Sequence, residues 1–331
     1  MEYRTLGRTG LKVSVFGIGS WQLSGALAID GLPDGFPDKG REEVISIIRG
    51  CGDLGINLID TAEIYGDGEG ECRIGLAING QRDRWIISSK FGLKRGIRGE
   101  RIINCHPDTI RSSLEGSLRR LNTDYIDIYF YHAFPRSEWM EAGRETLETL
   151  KQEGKIRFYG ISTDNVNELQ SLIEHNSVDV VNCARSLVNY PRRILSLVKT
   201  NNLGMMNRGA LLAGQLSGKY FQQPPQLSTD DFRYGLKFDW SKYKCYESLI
   251  PEGASMVSFA LRYLLDSSIT QTILLGGKSL AHYREALTAL NLDPLDKRIH
   301  YQIDFIRYQQ SLSRRSKYLL KLMAQKVKRN S

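Results

Sequence analysis

Eight short apolar runs, at residues 15–18, 57–59, 85–88, 126–131, 156–161, 178–183, 205–207 and 272–275, are each followed by enough chain for a crossover helix. Such β-rich runs alternating with stretches of helical period predict parallel strands joined by helices. Val44, Ile47, Ile48 and Cys51 repeat at three- and four-residue spacing, as do Ile110, Leu114, Leu118 and Leu121, then Val166, Leu169 and Ile173, and finally Tyr283, Ala286, Leu287 and Leu290. Each set gives one apolar helix face. Gly55 and Gly154 stand where helix stops are expected, just before a strand. Eight such units favour a (β/α)₈ TIM barrel over an open doubly wound sheet, whose nucleotide fingerprint belongs in the first strand-to-helix turn. Gly17-Ile-Gly19 is the only candidate there and has no third glycine at the required offset, so it reads as a tight turn at the barrel mouth. The expected architecture is an N-terminal β-hairpin over residues 2–15, a barrel domain over 1–294, and a basic, helical C-terminal extension over 295–331.

The formal net charge of +8 sits in that extension, where ten Lys or Arg residues face only Asp296 and Asp304. The rest of the chain is balanced, so the charge says little about the barrel's ligand. Ile299, Ile303 and Ile306, with Leu319, Leu322 and Met323, fall at helical spacing among these cations. The plain expectation is a helix docked on the barrel with a solvated basic face; the same face would suit an acidic partner or an anionic membrane surface. Nucleic acid is disfavoured, because aromatic stacking motifs are missing. No run approaches the roughly 20 apolar residues of a membrane helix, and the N-terminus lacks a secretory apolar core. Five scattered cysteines without a Cys-x-x-Cys pair suit a reducing, cytoplasmic setting. Histidines and cysteines show no ligand spacing, so no metal is expected.

The chemistry lies at the strand ends. Asp60 ends the second run, Tyr65 follows it, Lys90 ends the third and His132 the fourth. All four are expected at the C-terminal face, where this fold keeps its active sites. Carbonyl reduction needs a proton donor for the oxygen, and a tyrosine near pKa 10 is a reluctant one. A nearby ammonium, Lys90, would bring it closer to working pH. Asp60 would hold Lys90 charged, and His132 would position the carbonyl oxygen. Taken singly, a strand-end histidine or an Asp–Lys pair is more often structural; the case rests on four compatible residues at the ends of three consecutive strands.

The run Asn57-Leu-Ile-Asp60-Thr-Ala-Glu-Ile-Tyr65-Gly66 resembles the signature of the aldo-keto reductases. Ser88-Ser-Lys90-Phe-Gly, Asp124-Tyr-Ile-Asp-Ile-Tyr-Phe-Tyr-His132 and Gly154-Lys-Ile-Arg-Phe-Tyr-Gly-Ile-Ser162 carry the same likeness, which covers roughly residues 2–292. The resemblance implies NADPH or NADH and a tetrad of Asp60, Tyr65, Lys90 and His132. It also implies that Ser162 contacts the nicotinamide, although the asparagine expected beside it is Thr163, and that Asn182 stands where the family has glutamine. Arg208 replaces the ring that lies against the nicotinamide; a planar cation can stack there. Leu211 and Gly214, through Lys219, match the loop covering the pyrophosphate. Gly276, Lys278 and Ser279 match the adenosine-end segment, where Lys278 and Ser279 would suit the 2′-phosphate of NADPH. His282 and Ala286 replace the usual adenine contacts.

The loops over residues 26–39 and 234–250 are expected at the mouth, with Trp21, Phe36, Phe134, Trp139, Phe238 and Trp240 as aromatic surface for an aldehyde or ketone substrate. Two other readings stay open. One is a nucleotide-binding regulatory or scaffold barrel, like the β subunits of potassium channels, motivated by the altered adenine positions and the basic tail. The other is a biosynthetic ketoreductase acting on a sugar or natural-product ketone, which the enlarged mouth loops permit.

Overall fold

A computed structural model of the chain describes residues 1–312. All eight strands form: β1 (Phe16–Gly19), β2 (Leu58–Asp60), β3 (Ile86–Phe91), β4 (Ile126–Tyr131), β5 (Ile156–Ser162), β6 (Val180–Ala184), β7 (Gly204–Arg208) and β8 (Thr272–Leu275). Each pairs in parallel with the next, and β8 pairs with β1, so the sheet closes into a barrel. One helix follows each strand: α1 (Arg41–Asp53), α2 (Glu69–Ile78), α3 (Pro107–Leu121), α4 (Met140–Gln152), α5 (Val166–Glu174), α6 (Arg192–Thr200), α7 (Met256–Leu265) and α8 (Leu280–Leu287). The (β/α)₈ expectation is met.

Helix α1 buries Val44, Ile47, Ile48 and Cys51, the face its spacing predicts. Helix α7 is buried on nearly every side, and such a helix must be covered all round. Part of its cover is a helix running from residue 297 to the end of the described residues. There Ile303 is fully buried, with Ile299 and Ile306 packed against the same core. Asp266, at the end of α7, accepts the Leu295 N–H at 3.0 Å and meets His300 Nε2 at 3.1 Å. Leu319, Leu322 and Met323 of the expected tail helix lie outside the described residues. Among those described, no helix is long and apolar enough to cross a membrane.

Tyr3–Thr5 and Lys12–Ser14 pair as the expected hairpin. Leu6, Leu11 and Val13 from it meet Leu58, Ile128, Phe130, Val180, Met206 and Leu274 of the barrel interior and plug its lower end. Side chains alternate across a strand, so two residues further along, the same inward rows carry Asp60, His132, Asn182 and Arg208. An apolar plug below and a polar mouth above are thus consecutive steps of one pleat.

Gly17 and Gly19 do not form the tight turn expected of them. Both lie within β1, and a Cβ on Gly17 would come within 2.8 Å of the Leu58 side chain. Gly17 answers to crowding inside the barrel, whereas a Cβ on Gly19 would meet nothing closer than 3.5 Å. Gly160 in β5 is more extreme: its Cβ would meet the Val180 carbonyl oxygen at 1.8 Å. Gly160→Ala is therefore expected to destabilise the fold by about 3 kcal/mol, the upper range for overpacking, read as a lowered urea midpoint with an unchanged denaturant slope.

Candidate active site

The three strand ends bring Asp60, Lys90 and His132 to the mouth, and the turn after β2 returns Tyr65 over them. Lys90 is 1% exposed and Asp60 5%. The Lys90 ammonium donates to Asp60 Oδ2 at 2.7 Å, to the Thr61 carbonyl at 2.6 Å and to the Tyr65 hydroxyl oxygen at 3.3 Å. Three directed contacts use its three protons. Ser88, one inward step below Lys90 on β3, donates to Asp60 Oδ1 at 2.7 Å, and Asn182 Nδ2 approaches the same oxygen at 3.5 Å. His132 stands edge-on to Tyr65 with ring centroids 5.8 Å apart, and its Nδ1 is buried without a partner.

Burial works against the Lys90 ammonium, but Asp60 and the Tyr65 oxygen outweigh it and hold its pKa above the usual lysine value. The lowering expected for Tyr65 does not prevail. Burial pushes its phenol above the usual value, Asp60 adds to this, and Lys90 only opposes it. At neutral pH the pair is phenol plus ammonium. Burial, then the charges of Lys90, Arg208 and Arg101, hold His132 well below the usual histidine range, so its imidazole is neutral.

Around this centre, Ser162 ends β5 and Asn182 projects from β6 with its Oδ1 buried and unpartnered. Thr163 is turned away: its hydroxyl donates to Glu168 and accepts the Asn165 N–H at 3.0 Å, shaping the start of α5. Arg208 at the end of β7 pairs with Asp164 at 2.8 Å. Leu211 precedes and Gly214 ends a short 3₁₀ turn, Leu212–Gly214, with Lys219 five residues beyond Gly214. Gly276 lies against the Gln22 side chain, since a Cβ there would come within 2.2 Å of it. Ser279 caps α8 by position but makes no side-chain capping bond. His282 Nδ1 accepts the Lys278 backbone N–H at 3.1 Å, so it braces the turn that carries Lys278. Lys278 itself is engaged, 3.3 Å from Asp231 and 4.1 Å above the Phe36 ring.

Sequence reasoning missed the segment that roofs the mouth. Asp231 and Arg233 form a two-point pair at 2.6 and 2.7 Å, and Arg233 also donates to the Ala213 carbonyl at 3.1 Å. Between them, the Phe232 N–H donates to the Gly35 carbonyl at 2.9 Å, which ties the loop after β7 to the loop after β1. Phe232 stacks against Trp21 at 4.5 Å and Phe36 at 5.1 Å, and Trp21 reaches Tyr65 at 6.4 Å. Of the aromatics expected at the mouth, Trp21 and Phe36 thus join Tyr65. Phe238 and Trp240 cluster with one another and Tyr220, and Trp139 packs on His106. Ser88 was legible, because its spacing of two from Lys90 puts both on one strand face. Among the described residues, no cluster of histidine, cysteine or acidic side chains could hold a metal ion.

A closed parallel barrel whose polar side chains gather at the strands' C-terminal ends defines an enzyme of the (β/α)₈ class. Residues 16–307 match the model of the aldo/keto reductase family, and the chain belongs to it as an NAD(P)H-dependent oxidoreductase. The uncharacterized oxidoreductase YqkF of Bacillus subtilis (strain 168) is 28% identical over 296 residues, covering 88% of this chain and 92% of the relative. The NADH-specific methylglyoxal reductase of Escherichia coli (strain K12) is 27% identical over 326 residues, covering 89% and 95%. Among solved structures, the holo form of an aldo-keto reductase from Bacillus halodurans is similar with a TM-score of 0.77 at 26% identity, covering 92% of this chain and 95% of that one.

A histidine held neutral makes stability pH-dependent. Below about pH 6.5 the unfolded chain takes up a proton that folded His132 refuses, so stability is present above that pH and lost below it. His132→Asn is expected to recover about 1.4 kcal/mol of that loss at about pH 5.5, seen as a shallower fall of melting temperature on acidification; an unchanged slope would contradict the assignment.

Proposed function

We propose that the enzyme reduces an aldehyde or ketone with NADPH, and that Tyr65 is the general acid. The observation carrying this reading is the Lys90 ammonium held between the Asp60 carboxylate and the Tyr65 hydroxyl, under a phenol that stays protonated at neutral pH. When bound, the nicotinamide supplies a hydride to the carbonyl carbon. Tyr65 gives its proton to the carbonyl oxygen as negative charge develops there, and Lys90 stabilises the phenolate left behind. Asp60 keeps Lys90 charged and aimed, with Ser88 fixing the second carboxylate oxygen. The neutral imidazole of His132 has one N–H to donate to the carbonyl oxygen and set its position.

The residues fit such a cofactor. The buried, unpartnered Oδ1 of Asn182 suits a carboxamide N–H beside Ser162. Arg208 offers a planar cation to the ring, Leu211, Gly214 and Lys219 the pyrophosphate loop, and Gly276, Lys278, Ser279 and His282 the adenosine end. With all five cysteines free, we assign the enzyme to the cytoplasm. The intact Asp60–Lys90–Tyr65 geometry favours catalysis over a purely nucleotide-sensing role.

Tyr65→Phe is expected to lower kcat for carbonyl reduction by about 10²- to 10⁴-fold while leaving NADPH binding, followed by cofactor fluorescence, unchanged; full activity in the variant would remove Tyr65 from the role. NADH is a second reading with its own observation: Asp231 stands 3.3 Å from Lys278, the cation assigned to the 2′-phosphate, and one relative is named NADH-specific. Neutralising that carboxylate in Asp231→Asn is expected to raise the NADPH-to-NADH preference by up to about fivefold, the worth of one partly exposed ion pair, measured as the ratio of the two dissociation constants.

A further inference from the structure

Outside the barrel, α6, α7 and the helix of residues 297–312 enclose an open cleft of about 530 Å³ that shares no residue with the mouth. Arg185, the residue after β6, lines it and is only 3% exposed. One guanidinium nitrogen donates to the Thr270 hydroxyl, while Nε is buried without a partner. Arg307, on the opposite wall, has a buried Nη1 that is likewise unpartnered. Both guanidiniums lie over the same two rings: Arg185 at 5.3 Å from Tyr190 and 5.8 Å from Tyr263, Arg307 at 5.0 and 5.5 Å. Burial depresses the Arg185 pKa against the opposing influence of Tyr263 and Tyr190, with Arg307 adding a smaller push downward.

A buried guanidinium without a carboxylate, beside a second, partly buried one that Asp304 alone partners, calls for an anion. Among the described residues, neither of the cleft's own carboxylates reaches Arg185. Asp266 is held by Arg262 and His300, and Asp304 pairs with Arg307 through the latter's other nitrogen. Among the described residues Arg185 has no carboxylate within ion-pair distance, and residues 313–331 contain neither Asp nor Glu. Arg192 and Lys199 on α6 add further positive charge at the cleft.

We propose that this cleft binds a phosphate-bearing small molecule, whose oxyanion is gripped by Arg185 and Arg307 between Tyr190 and Tyr263. Forked guanidinium donors match phosphate oxygens and gain most where water is excluded. The rings of Tyr190 and Tyr263 flank the two forks, while Nε of Arg185 and Nη1 of Arg307 stay without a partner.

The test is isothermal titration of the full chain with inorganic phosphate and, separately, with glycerol 2-phosphate, at constant ionic strength against chloride. Saturable binding is expected, with the organic ester tighter if a metabolite is the natural occupant and the free ion tighter if phosphate itself is. Arg307→Met, on a helix at the molecular surface, is expected to weaken binding at least about tenfold, the loss of one charged hydrogen bond. Arg185→Met is expected to do the same, and if that variant does not fold, Arg307→Met decides alone. Lys278→Met, at the barrel mouth, is expected to leave the phosphate affinity unchanged. Absence of saturable binding, retention of it in Arg307→Met, or its loss in Lys278→Met would each overturn the proposal. Loss of carbonyl reduction would not touch it, because the cleft does not depend on the reading of the mouth.

Discussion

Closing eight parallel strands into a ring sends every second side chain into a space too narrow for water and too crowded for large residues on every strand. That constraint dictates most of what the barrel contains. Where the Val180 carbonyl presses on β5, Gly160 must lack a side chain; where Leu58 and Leu274 meet, so must Gly17. The inward rows are then apolar up to the level of Leu58, Ile128, Phe130, Val180 and Met206, and polar from the next step onward. A single register shift on any of these strands would move its polar end residue out of the mouth and into the helical layer.

The Asp60–Lys90 pair is the costliest element of the mouth. Two charges almost without solvent repay their desolvation only when their remaining donors and acceptors are satisfied. Here Ser88, the Thr61 carbonyl and the Tyr65 oxygen provide that satisfaction. The arrangement fixes the proton distribution before any substrate arrives: ammonium on lysine, phenol on tyrosine, neutral imidazole on His132. Burial and near charges oppose one another at Lys90 and Tyr65 and act together at His132.

Much of this was legible in the sequence. The eight apolar runs reappear as strands with ends shifted by at most three residues, because a buried parallel strand must be a short β-rich run wherever it occurs. Asp60, Lys90 and His132 followed from being the polar residues that end such runs. What escaped notice depended on contacts between distant segments. Phe232 meets Trp21 only because the loop after β7 folds across to the loop after β1. Thr163 looks like a nicotinamide neighbour by position, yet its hydroxyl serves Glu168, five residues on in the first turn of α5. The direction of the Tyr65 shift was also misjudged, since a sequence names the neighbouring ammonium but not the depth at which the ring is buried.

The hairpin plug has one more consequence. Leu6, Leu11 and Val13 close the lower end of the barrel with hydrocarbon, and the residues they meet inside it, Leu58, Ile128, Phe130, Val180, Met206 and Leu274, are apolar as well. Lys90 and Asp60 therefore sit at the bottom of a vessel open only upward. In the proposed reaction, the proton that Tyr65 gives up is replaced from the same side on which substrate and product pass. Resupply and product departure share one doorway, and the roof formed by Phe232, Trp21 and Phe36 stands across it.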